Sequence, residues 1–132
     1  EWLNEVILNL NDNKDENIYL NDDVMIFNAK ENLNPNIVSV ITTLLGNIQN
    51  EQKINLIIGL SYLKGKIKAS LRVSKYSDEE IDILDMLKEM DFIENYGGYK
   101  NVAGCVFNKK YKKEFIKLIF KKVKKQVSEE EI

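Results

Sequence analysis

Hydrophobic and polar residues alternate without a break from Lys66 to Val73. Ile67, Ala69, Leu71 and Val73 take one side; Lys66, Lys68, Ser70 and Arg72 take the other. Strand side chains point to opposite faces with a period of two. The stretch therefore predicts a β-strand with one buried and one wet face. Just upstream, Ile54–Tyr62 is mostly apolar and predicts a strand at the centre of a sheet. Leu63-Lys64-Gly65 is the turn that brings the two back antiparallel. Ile18–Leu20 and Val24–Asn28 are shorter strand candidates around the polar cluster Asn21-Asp22-Asp23. Val102–Phe107 is a further one.

Helical patterns fall between the strands. Asn34 is a cap, Pro35 fits a first turn and Gly46 sits at the far end. The helix between them carries Ile37, Val38, Val40, Ile41, Leu44 and Leu45, which suits a helix laid on a sheet. Its Ser39, Thr42 and Thr43 are read as bonding locally. Ser77-Asp78-Glu79-Glu80 has the form of a capping box and predicts a helix over 78–90. Its acids complement the helix dipole rather than gather a metal. Over 111–127, Phe115, Ile119, Val123 and Val127 step by four beside a ladder of Lys113, Lys117, Lys121 and Lys125, with Asn108 as a cap. At the front, Trp2, Leu3, Val6, Ile7 and Leu10 form an amphipathic stripe, followed by the acidic run 11–17. The pattern defines an α/β fold: a mixed β-sheet of about five strands flanked by helices. It forms a single compact domain over residues 18–132, preceded by a linker helix and acidic tether at 1–17.

A chain of 132 residues suits one hydrophobic core. No apolar run approaches the roughly 18–20 residues of a membrane-spanning helix, and no membrane partner is expected. The opening Glu1 and its helical pattern read as a piece of a longer protein. A single cysteine excludes an intramolecular disulfide and fits a reducing, cytoplasmic setting. Cys105 lies within the apolar run Ala103–Phe107 and reads as a buried small side chain. The chain has no histidine, which removes Ser-His-Asp and Cys-His catalysis and the commonest zinc ligand.

Charge is informative by region. The net charge is −2, yet residues 1–32 hold eight acids and two lysines, while 109–125 hold nine lysines and one glutamate. This predicts an acidic tether and a basic surface. Arg72 is the sole arginine. Its planar fork binds phosphate bidentately, which lysine cannot do. Asn95-Tyr96-Gly97-Gly98-Tyr99-Lys100 reads as a glycine loop. Adjacent glycines allow close backbone approach and an N–H nest for an anion. Candidate phosphate-binding residues are therefore Arg72, Ser70, Lys68, Gly97, Gly98, Tyr99 and Lys100, with Lys66, Lys113 and Lys117 as a secondary basic surface. Tyr96 or Tyr99 offers a ring on which a base can stack.

Three segments in order resemble one family. Asn34-Pro35-Asn36-Ile37-Val38, then Ser70-Leu71-Arg72, then Gly97-Gly98 with Ala103-Gly104 are similar to the DHH-associated C-terminal domain of DHH phosphoesterases, of which RecJ-like single-strand nucleases are the best known. The resemblance runs from about residue 24 to 125. Tyr99 stands where the family commonly has a histidine, and Val102 where it has an alanine. The resemblance implies a domain that holds a single DNA or RNA strand for a separate N-terminal DHH domain. That domain would carry manganese or magnesium and hydrolyse the phosphodiester, so this segment needs no cofactor and catalyses nothing alone. Archaeal-type RecJ-like proteins and other DHH relatives imply one alternative each. One is a scaffold in a replication assembly, bound to GINS and other replication proteins. The other is the substrate domain of a short-oligonucleotide or cyclic-dinucleotide phosphodiesterase.

Overall fold

The structure is a computed structural model that describes residues 17–21, 23–48 and 54–130. The expected linker helix and all of the tether but Asn17 lie outside the described residues.

Among the described residues the elements run β1 (Ile18–Leu20), β2 (Val24–Asn28), α1 (Pro35–Gly46), β3 (Leu56–Leu63), β4 (Lys66–Val73), α2 (Ile83–Lys88), β5 (Ile93–Gly98), β6 (Val102–Asn108) and α3 (Lys112–Glu130). A short 3-10 turn, Lys109–Tyr111, leads into α3. The strands form one mixed sheet in the order β1-β2-β3-β4-β6-β5. Only β2 and β3 are parallel, joined through α1; the other pairs are antiparallel. The sheet has six strands where about five were expected. The extra strand is β5, whose Gly97 and Gly98 end a paired strand rather than open a loop.

Local chemistry explains the boundaries. Asn34 Oδ1 accepts from the Ile37 N–H at 3.0 Å, and Pro35 opens α1. Lys64 and Gly65 both have positive φ, 53° and 78°. Two such residues make the type I′ turn that matches strand twist, so β3 and β4 pair along their full lengths. The expected helix over 78–90 is shorter. Ser77 Oγ instead donates to Asn55 Oδ1 and accepts from the Glu79 N–H, and the chain stays non-helical until Asp82 caps Asp85. Asn108 caps the turn before α3 by accepting from the Lys110 N–H at 3.0 Å.

Two cores sit on the two faces of the sheet. Ile58, Ile67, Ala69, Leu71, Cys105 and Phe107 bury one face against α2 and α3, where Phe107 stacks on Phe115 with ring centroids 4.5 Å apart. On the other face, Phe27, Ile57, Val38 and Ile41 form a smaller core under α1. Burial pushes the Cys105 thiol up to about 12, so it is an inert core side chain.

Candidate functional site

Helix α1 covers only part of its face of the sheet. It packs on β3 and β4, and beyond it β4, β6 and β5 are open. Registration puts Gly59, Ser70, Gly104 and Gly97 in one row across β3, β4, β6 and β5. At Gly59, α1 fills the gap: a Cβ there would meet Phe27, Thr42 and Val38 at 2.6 Å. Farther along, Ser70, Gly104 and Gly97 leave a shallow floor with no side chain larger than serine. The result is an open cleft of about 350 Å³, walled by α1 on one side and the β5–β6 turn on the other.

Alternation along β4 aims Lys68, Ser70 and Arg72 into this cleft. Among the described residues, Lys68 has no ion-pair partner and the Ser70 hydroxyl no hydrogen-bond partner. Arg72 is half-buried beside the C-terminal end of α1, where its Nη2 donates to Asn47 Oδ1 at 3.3 Å. Gly46 makes room for it: a Cβ on Gly46 would lie 2.8 Å from Arg72 Cδ. Arg72 Nε is buried without a partner against Gly46, so what the guanidinium can offer a ligand lies on its terminal nitrogens. At the hairpin, Gly98 has φ 126°, and a Cβ there would strike the Val102 carbonyl oxygen at 2.4 Å. Only glycine fits this closure. Gly97 is exposed, with open space where a side chain would be. Tyr99, 75% exposed, stands at the rim.

The structure thus brings together Lys68, Ser70, Arg72, Gly97, Gly98 and Tyr99. It separates the rest. Lys100 lines a different cleft, with Glu79, Asp82 and Asp85. Lys66 shares the cation face but is paired with Glu94. Lys113 and Lys117 lie on α3, which packs on the opposite face of the sheet. Tyr96 pairs with Cys105 and so points to that opposite face as well. The alternation of β4 carried no hint of the α1 wall. Asn36, Ser39 and Thr43 line it, and of the three hydroxyl residues of the helix only Thr42 is bonded locally, to the Val38 carbonyl at 2.8 Å.

Among the described residues no three His, Cys, Asp or Glu side chains gather to hold a metal ion. Two acids of α2 and its end are paired with lysines. Asp85 is held below its usual carboxylate range by Lys88, and Glu89 by Lys122. No described helix is long and apolar enough to cross a membrane.

The chain belongs to the DHHA1 domain family, whose profile matches residues 21–129. Two solved structures share the fold. One is a pGpG-specific phosphodiesterase, PggH, from Vibrio cholerae, with a TM-score of 0.62 at 13% identity. That match covers 94% of this chain and 41% of the phosphodiesterase, so the chain spans less than half of that protein's length. The other is the C-Ala domain of Aquifex aeolicus alanyl-tRNA synthetase, with a TM-score of 0.58 at 16% identity, covering 84% of this chain and 97% of that domain. No curated protein matches the chain in sequence.

Proposed function

We propose that this chain is the substrate-binding domain of a DHH-family phosphoesterase and that its cleft seats a phosphate of a single nucleic-acid strand. One observation carries the reading: Lys68, Ser70 and Arg72, donors spaced two residues apart on one strand, face a floor made bare by Gly104 and Gly97. Cationic donors attract phosphate, the bare floor lets it reach the backbone, and Arg72 supplies the fork. Tyr99 at the rim offers a stacking surface for a base. Hydrolysis, with its manganese or magnesium, falls to a catalytic DHH domain that this one serves.

Fluorescence anisotropy of a labelled single strand of about twenty nucleotides tests it. Affinity should fall steeply with salt, and Arg72→Ala should weaken it by about tenfold or more, the worth of a charge-assisted hydrogen bond. Binding that follows salt but ignores Arg72 would reduce the attraction to surface lysines such as Lys113 and Lys117.

A second reading is a short substrate. The cleft holds about 350 Å³, near the low end of small-ligand sites, and a pGpG-specific phosphodiesterase shares the fold. A strong preference for dinucleotides over the long strand in the same titration would select it.

A further inference from the structure

Helix α1 is apolar on most sides but carries a polar seam along the flank that borders the cleft. Ser39 and Thr43 stand one turn apart on that flank. Their neighbour Thr42 spends its hydroxyl inside the helix, on the Val38 carbonyl. Among the described residues, the Ser39 and Thr43 hydroxyls have no partner. Serine and threonine are weaker helix formers than alanine, and nothing in the local packing of α1 calls for a hydroxyl at either place.

The two walls differ in chemistry. Lysine and arginine side chains donate hydrogen bonds and accept none, so they suit phosphate oxygens. A hydroxyl both donates and accepts. That matches the ribose 2′-hydroxyl, which is itself donor and acceptor and distinguishes RNA from DNA. In a nucleotide chain the sugar is bonded directly to the phosphate. A wall beside the phosphate seat is therefore within reach of the sugar.

We propose that Ser39 and Thr43 form a sugar subsite that recognises the ribose 2′-hydroxyl, so that the cleft favours ribonucleotides over deoxyribonucleotides. The subsite rests on the reading of the cleft as a phosphate seat, and the experiment separates the two.

The probes are 5′-phosphorylated diadenylate in its ribo and deoxy forms, each competed against the labelled strand. The proteins are the wild type, Ser39→Ala/Thr43→Val and Arg72→Ala, with melting curves to confirm that each is folded. The wild type should bind the ribo form about tenfold more tightly, the worth of one or two hydrogen bonds. In the double variant that ratio should fall toward one through weaker ribo binding alone. A wild-type ratio of one, with Arg72→Ala still weakening both forms, overturns the sugar subsite and leaves the phosphate seat standing. Equal weakening of both forms in the double variant makes the wall merely structural and also overturns it. Failure of the wild type to bind either form removes phosphate seat and sugar subsite together.

Discussion

The two faces of β4 live in different worlds. Ile67, Ala69 and Leu71 lie under α2 and α3 and are almost wholly buried, while Lys68, Ser70 and Arg72 face an open cleft one residue away along the chain. The difference is how each face is completed. The buried face is closed by side chains from helices, such as Phe115. The open face is bounded by the removal of side chains at Gly104 and Gly97 and by a helix that stops short. Stability and the proposed ligand chemistry thus fall on opposite faces of one strand, and a substitution on either side should disturb mainly its own half.

The sharpest break should come from Phe115→Ala. The ring is fully buried and stacks on Phe107. Its loss should lower unfolding stability in urea by about 3–5 kcal/mol. Below the new transition, nucleotide affinity should stay near that of the wild type. A large loss of affinity in still-folded protein would show that the faces are coupled.

Gly46→Ala probes the other half with a smaller effect. The added methyl collides with the flexible Arg72 side chain rather than with backbone. The protein should stay folded, while the guanidinium shifts and affinity falls. In an Arg72→Ala background the same change should do nothing, a coupling of about 0.5–3 kcal/mol by double-mutant cycle. Additive losses would mean that Gly46 acts on something other than Arg72.

The smallest effect concerns pH. Asp85 and Glu89 have folded-state pKa values depressed below their ordinary 3.8 and 4.5. Their contribution is therefore complete above those values and is lost as pH falls through them toward the folded-state values. Both are solvent-exposed pairs, so thermal melts should show only a mild extra loss in acid. Between about pH 6 and 8 melting should be flat, because the chain has no histidine side chain to titrate there. A step in that range would point to a group outside these pairs.

How much of this was legible in sequence follows from where the information sits. The period of β4 lies within eight consecutive residues, and its span, both faces and the donors on them could be read directly. The strand β5 could not. Ile-Glu-Asn-Tyr-Gly-Gly has no alternation, is exposed over most of its length, and takes its shape from pairing with β6 across a bulge. The start of α2 was misplaced because Ser77 found a distant partner, Asn55, that no local rule reveals. The cation face was readable, Lys66 included, but the pairing of Lys66 with Glu94 and the placement of Lys100, Lys113 and Lys117 away from the cleft were not. Charge reveals neither the far side of a sheet nor a neighbouring carboxylate. The α1 wall was hidden for the same reason. Its hydroxyls line the cleft only once the helix is set beside β4, and that placement depends on residues far apart in the chain.

Gly59 gives that placement a consequence of its own. Because it has no side chain, α1 sinks until Val38 and Thr42 rest against the sheet, and the height of the wall above the cleft floor is set there. Gly59 is buried beneath the helix, where no ligand could reach it. The site can therefore be retuned from below. A residue that shims the helix upward would alter the distance between the hydroxyl wall and the cation row without changing a single group that faces the cleft.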